Sequence, residues 1–340
     1  MATTESGIEK AKDAQTGQIL SPTGGPGENA DDFEVPLGVK PARKSAWGVF
    51  KEMPILVKFS TLWLLAVLFG AIYSQLDLRV FNGSLPLADP NLQLSGFNPA
   101  TGEFGDGTAL EGPSWEHPLG TDALARDTFA RAVHGAYVSV IVAAVSVACG
   151  VIVGGLLGSL VGFVRGKTET VLMAAIDVIL AFPALVLLLA FISIFEVRSL
   201  FVISFIIGLL SIPTYTRVAR ANSLAISNRE FVTAARAIGT KRWKILLREI
   251  IPNVLPTLIA YAMVAAAAVV VVEGTLSFLG LSVQLPTATW GNMINQARRD
   301  IKQNFGQVLY PALILTMTVL ALNQVGDFFQ RRGSHRSSSL

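Results

Sequence analysis

Ser227 to Pro256 reads SNREFVTAARAIGTKRWKILLREIIPNVLP. The stretch is polar, strongly basic and helical in pattern, yet it lies between long apolar blocks. Ser227 and Glu230 stand three apart, the spacing of a capping box that opens a helix. Phe231, Ala234, Ala235 and Ile238 follow at helical intervals and make a small apolar face. Gly239 occupies the place of a C-terminal glycine. Beyond it a second amphipathic helix is predicted. Trp243, Leu246, Leu247 and Ile250 fall on one side, with Lys241, Arg242, Lys244 and Arg248 mostly on the other, and Pro252 and Pro256 are expected to interrupt it. A short helix, a glycine break and a basic helix make a docking knob, because the Ala234–Ala235 pair lets another surface approach closely. The plainer alternative is an amphipathic loop helix lying on lipid.

Composition points to a membrane. Hydrophobic residues make up 51% of the 340-residue chain and charged residues only 15%. Length alone would allow two soluble domains. The apolar residues come in long blocks, however, which favours one membrane domain with appended tails. The net charge is +3 and the pI about 9.0, values that invite a nucleic-acid reading. The basic residues cluster in loops between apolar blocks, as the positive-inside rule requires, so no nucleic-acid partner is expected. The single Cys149 lies in an apolar block and cannot form an internal disulfide.

Residues 1–50 form a tail rich in Gly, Ser, Thr, Pro and acids, expected to be disordered. They do not read as a signal peptide, because the first apolar block begins only near Pro54. A first span covers 51–76, with its apolar run from Ile55 to Leu76, long enough for a hydrocarbon core of ~30 Å. Residues 77–133 form a long polar connection on the far side. A core of five helices is expected over 134–330, and a basic tail over 331–340. Its spans run about Val138–Val164, Val171–Phe195, Leu200–Tyr215, Leu258–Val272 and Val308–Val325. Pro213 is expected to bend or end the fourth span of the chain. Between Arg217 and Arg248 lie eight basic residues and one acid, a segment hard to pass through a membrane.

The second span carries Gly150, Gly154, Gly158, Gly162 and Gly166 at intervals of four, a ladder that lets helix backbones pack closely. Whether its partner is internal or another chain stays open. The run Gly162–Thr168, GFVRGKT, fails as a phosphate loop, because five residues before Gly166 stands Val161 and no strand precedes it. Asp177 and Glu273 lie in or beside spans. An acid there is costly and faces the protein interior. Each has two readings, contact with a translocated solute or an internal structural pair. Near residue 120 the chain reads His117-Pro118-Leu119-Gly120-Thr121-Asp122, then Arg126-Asp127. Gly120 suits a turn, Thr121 or Asp122 can cap the next helix, and Asp122, Arg126 and Asp127 can form short-range ion pairs.

Three of these segments resemble one family, the membrane permease subunits of bacterial ABC importers. Its signature of Glu-Ala-Ala, three residues, Gly, and later an apolar pair with Pro is matched by Thr233-Ala234-Ala235, Arg236 to Gly239, and Ile250-Ile251-Pro252. The signature Glu is Thr233 here, with Glu230 one turn earlier. The run His117–Asp127 is similar to the dipeptide, oligopeptide and nickel branch, with Ala125 in place of Gly and Ala130 in place of Ser. Glu273-Gly274-Thr275-Leu276-Ser277-Phe278-Leu279-Gly280-Leu281, followed by Trp290-Gly291, resembles the same branch, where a Trp-Gly turn is expected.

The resemblance implies an all-α membrane protein of six transmembrane helices, both termini cytoplasmic, in the type I importer permease fold. It implies a coupling helix near 227–250 held by an ATPase, through Glu230, Thr233, Ala234, Ala235, Arg236, Gly239 and Pro252. Implied partners are a second homologous permease, two ATPase subunits, an extracytoplasmic binding protein and the lipid bilayer. This chain itself would bind no cofactor, and ATP-Mg would sit on the partners. Di- and oligopeptides are the expected cargo, with nickel or another small solute as the alternative. No catalytic residue and no metal site are expected. A membrane-embedded enzyme or a channel is the rival class. The three histidines, His117, His134 and His335, lie outside the predicted spans, and no filter loop is seen.

Overall fold

The structure, a computed structural model, describes residues 50, 52–79, 89–94, 97–98, 103–104, 108–194 and 199–337. The predicted tail up to residue 49 and the short connection at 195–198 lie outside the described residues. Helix α1 is Ile55–Arg79 and α2 is Thr128–Cys149, continued through a wide turn at Gly150–Gly154 into α3, Gly155–Val164. Lys167–Ala181 is α4, Ala184–Ile194 is α5 and Leu200–Ile226 is α6. Then come α7, Glu230–Ala237, α8, Arg242–Ile245, a second wide turn at Leu246–Ile250, and α9, Ile251–Phe278. Trp290–Ala297 is α10 and Gly306–Ser337 is α11. The fold is nearly all helical. A two-residue antiparallel pairing, β1 (Phe97–Asn98) with β2 (Glu103–Phe104), lies in the outer connection.

Among the described residues, five helical stretches are long and apolar enough to cross a membrane, and a sixth is reached if the bent pair α4–α5 counts as one. That bend corrects the third predicted span, which is not a straight Val171–Phe195 helix. The two pieces meet at 88°. Pro183 has no N–H to give, and the residue before a proline is pushed out of helical backbone. Phe182 accordingly adopts φ −79° and ψ 138°.

Three other prolines fail to interrupt what they were expected to interrupt. Helix α6 runs through Pro213 to Ile226. Arg242 to Phe278 forms one continuous helical stretch despite Pro252 and Pro256. The wide turn at Leu246–Ile250 explains the first of these: Ile251 N–H reaches back five residues to Leu246 C=O. A turn with an extra residue makes room for the ring of Pro252 and its missing donor. Nearby, Asn253 Nδ2 donates to Glu249 C=O at 2.6 Å. The second span likewise starts ten residues earlier than expected, at Thr128, and the basic tail is helical to Ser337.

The glycine ladder has an internal partner, α6. A Cβ at Gly154 would lie 2.7 Å from Ile212 C=O, at Gly158 2.3 Å from Thr216 C=O, and at Gly162 2.6 Å from Arg220 C=O. The two backbones touch, and only glycine fits. Polar side chains bridge the same seam: Ser146 Oγ donates to Ser204 C=O and Ser223 Oγ to Ser159 C=O, each at 2.8 Å. Gly166 stands apart, in the left-handed reversal between α3 and α4, with open space around it.

Two apolar clusters fill the bundle. One gathers Val138, Val142, Ile203, Ile206, Val270 and Trp290. The other, at the elbow end, gathers Phe163, Tyr215, Val232, Ile245, Ile250 and Leu258. Helix α1 packs on α2 and α11, pinned by Ser60 Oγ to Gln324 Oε1 (2.9 Å) and Trp63 Nε1 to Thr318 Oγ1 (3.1 Å). Its other side exposes Phe59, Leu62, Leu65 and Phe69. That is the surface acyl chains cover.

Candidate functional site

The basic elbow begins where α6 stops. Ser227 does not cap α7: its Oγ turns back and donates to Ser223 C=O at 2.6 Å. The expected capping box with Glu230 is therefore absent. Arg229, in extended backbone, is the residue before α7 and offers no side-chain cap. The far end is closed as predicted. Gly239 has φ +78°, its N–H bonds Arg236 C=O, and Thr240 N–H bonds Ala235 C=O, both at 3.0 Å. This double closure satisfies the last carbonyls of α7 and reverses the chain.

The faces of the elbow differ from those expected. Val232, missed in the sequence reading, is fully buried in the elbow-end cluster. Ala235 packs beside it, while Phe231, Thr233, Ala234 and Ile238 face outward, Ile238 at 82% exposure. Trp243 and Leu247 also point out, and Ile245 and Ile250 take the inner positions. The guanidinium of Arg236 lies 5.4 Å from the centre of the Phe163 ring, tying α7 to the end of α3. Arg165 Nη2 donates to Asn228 Oδ1 at 2.8 Å. Pro252 is exposed on the first turn of α9. The elbow is thus an anchored eight-residue helix with an outward row, Phe231, Ala234 and Ile238, ringed by cations. Such a row fits a groove on another protein.

The run His117–Asp127 folds into a locked plug. Asp127 caps α2, accepting from Ala130 N–H at 2.7 Å, and pairs with His117 Nδ1 at 2.7 Å. The cap is Asp127, therefore, and neither Thr121 nor Asp122. Asp122 pairs with Arg126 at 2.6 Å and lies 3.6 Å from Arg131 Nε. Thr121 Oγ1 donates to Thr108 C=O (2.8 Å) and accepts from Glu111 N–H (2.9 Å). Gly120 has φ +72°, and a Cβ there would sit 2.2 Å from Glu111 C=O.

Distant residues complete the plug: Arg126 Nη2 donates to Gln296 Oε1 at 2.8 Å, and Gln307 Nε2 donates to Leu119 C=O at 3.1 Å. Gln296, Asn304 and Gln307 carry no local sequence signal for this role, since they lie some 170 residues or more from their partners. The polar side chains His117, Thr121, Asp122, Arg126 and Asp127 are all engaged within the chain, a bracing arrangement.

The two acids in the spans differ. Glu273 is fully buried on α9, with Ser139 Oγ donating to Oε2 and Ser282 Oγ to Oε1, both at 3.4 Å. Ser277 pairs with Thr289, the N-cap of α10, and the expected Trp-Gly turn is the start of that helix. Trp290 is buried and donates from Nε1 to Ala132 C=O at 2.9 Å. Asp177 on α4 pairs with Arg217 on α6 at 2.5 Å, and both side chains are more than half open or close to it, at 59% and 50%. No grouping of three or more His, Cys, Asp or Glu that could hold a metal occurs among the described residues.

Known proteins resemble this chain in sequence. Residues 154–338 match the family described as binding-protein-dependent transport system inner membrane component. The chain is 34% identical over 217 residues to a glutathione transport system permease protein of Pectobacterium atrosepticum, covering 64% of this chain and 72% of that one. It is 37% identical over 217 residues to a putative peptide permease protein of Brucella suis, covering 63% and 72%. It is 36% identical over 218 residues to a di/tripeptide transport system permease protein of Pseudomonas aeruginosa, covering 64% and 72%. The match spans α3 to α11, the ladder, the elbow and the last helix together, and the chain belongs to the inner-membrane permease components of binding-protein-dependent ABC importers.

Proposed function

We propose that the chain is one of two permease subunits in an importer of short peptides, driven through the elbow by a pair of ATPase subunits. One observation supports this most. Helix α7 is anchored through Val232 and closed by Gly239, yet presents Phe231, Ala234 and Ile238 outward among cations. A knob of that kind is a coupling helix waiting for its groove. Glu230, Thr233, Arg236 and Pro252 flank the contact. ATP-Mg binds the ATPases and not this chain. The binding protein delivers cargo to the face that carries the 117–127 plug. The basic elbow and the Arg331–Arg332 end lie on the cytoplasmic side, and both termini are cytoplasmic.

Peptides are the favoured cargo because the relatives named above are peptide and glutathione permeases. A nickel complex is the second reading. Mild-detergent purification of the tagged chain from its native cells, with the co-purifying subunits identified, tests the assembly. An ATPase pair, a second permease and a peptide-type binding protein are expected. A stable, solitary chain would turn the reading towards a free-standing enzyme or channel. Within the assembled complex, Gly239→Pro is expected to abolish substrate-stimulated ATP hydrolysis and spare membrane insertion. Proline cannot adopt φ +78°. Normal stimulation would remove the coupling assignment.

A further inference from the structure

The α4–α6 seam carries charge where the rest of the bundle surface carries hydrocarbon. Glu169 on α4 pairs with Arg220 on α6 at 2.5 Å, and Asp177 pairs with Arg217 at the same distance. Arg165 and Asn228 continue the row at the elbow end, bonded at 2.8 Å. Asp177 lies ten residues into α4, about 15 Å along the helix axis from its start. Arg217 lies a similar distance, about 14 Å, before the end of α6. The exposed neighbours on and between α4 and α5 are Val171, Val178, Ile179, Phe182 and Leu185, so the Asp177–Arg217 pair stands among apolar side chains on a helix pair long and apolar enough to form a span.

An ion pair half open at that depth cannot face acyl chains, where each charge would cost several kcal/mol or more. Intramembrane ions face protein or water. Asp177 and Glu169 each have their counter-charge on α6, while Arg165 at the elbow end bonds the neutral amide of Asn228. The row also connects, pair by pair, from ten residues into α4 to the elbow end. We propose that the α4–α6 seam, with Asp177 and Arg217 at its head, is the wetted wall of the translocation path, over which charged solutes such as zwitterionic peptides pass. The proposal rests on the importer reading above. It places the wall on the broken helix and leaves Glu273 out of it.

The test uses the whole complex in membrane vesicles, with Cys149→Ala as background. Ala174→Cys and Ala181→Cys, exposed one turn either side of Asp177, are compared with Leu68→Cys on the lipid-facing side of α1. The probe is an anionic, membrane-impermeant methanethiosulfonate reagent added from the elbow side. Both α4 cysteines are expected to react at least about tenfold faster than the α1 cysteine, because thiolate forms only where water reaches. Saturating transported peptide should slow them. Rates equal to that at position 68, with the ATPases still bound, would overturn the wall and leave the importer reading standing. Loss of the ATPases on purification would overturn both.

Discussion

Ala125 sits in left-handed backbone, φ +53°, with its methyl group fully buried. The sequence already marks this position, since the resembling branch has Gly there. Three terms decide what glycine would do. Relief of the backbone strain is worth about 1–2 kcal/mol. Loss of the buried methyl costs about 0.8 kcal/mol, and the freer unfolded chain costs about 0.5–1 kcal/mol more. Ala125→Gly is therefore expected to leave stability within about 1 kcal/mol of the parent. Ala125→Val should lower it by about 2 kcal/mol, because a branched side chain tolerates neither the backbone nor the packing. Thermal unfolding of the purified protein, followed by tryptophan fluorescence, separates the two.

Asp127 offers a second residue-scale test. Asp127→Ala removes the α2 cap and the His117 partner and should cost about 1–2 kcal/mol, whereas Asp127→Asn keeps an oxygen for Ala130 N–H and should cost less.

At the scale of elements, the ladder on α3 decides how tightly α6 can approach. Gly158→Leu would drive its side chain into Thr216 C=O and Ala219 Cβ. The expected result is a loss of folded protein in detergent, since overpacking of about 1–3 kcal/mol adds to a helix–helix separation with no way to relax. Recovery of monodisperse chain at parental yield would show that the seam can open.

The ladder was legible in the sequence because its period is four and its residue is glycine. Its partner was not, because Ile212, Thr216 and Arg220 contribute backbone carbonyls and any side chain supplies those. The elbow shows the same division. Gly239 announced itself through the left-handed stop, but the Ser227–Glu230 spacing misled, since Ser227 bonds inside the preceding helix. Proline was misread in both directions. Pro183 breaks a span that looked continuous, and Pro252 is absorbed by a wide turn that leaves no trace in hydropathy.

For the whole molecule, the exposed row on α7 makes a separable prediction. Ile238→Glu alters a side chain that touches little of its own chain, so stability should shift by no more than about 0.5 kcal/mol. Substrate-stimulated ATP hydrolysis by the assembled complex should nevertheless fall about tenfold or more, as expected when a charge replaces an anchor inside an interface. Equal loss of stability and stimulation would mean that the row supports the fold and not a partner. Five of the spans were readable from block lengths alone, because hydrocarbon thickness fixes them, while the expected sixth is the bent pair α4–α5. The bracing of the outer plug by Gln296, Asn304 and Gln307 was not, because contacts across 170 or more residues have no local period.

The stretch from Arg242 to Phe278 counts 37 residues without a break in its helical backbone. At 1.5 Å per residue that is about 55 Å, more than the thickness of a bilayer. It begins three residues after Gly239 and ends at the hydroxyl cluster around Glu273, Ser277 and Thr289. Mechanically it is a push-rod. A displacement applied at its elbow end is carried along one helical stretch towards that cluster, with the wide turn at Leu246–Ile250, Pro252 and Pro256 as the places where it can flex. The elbow and the buried surroundings of Glu273 are then joined through a single stretch of helix.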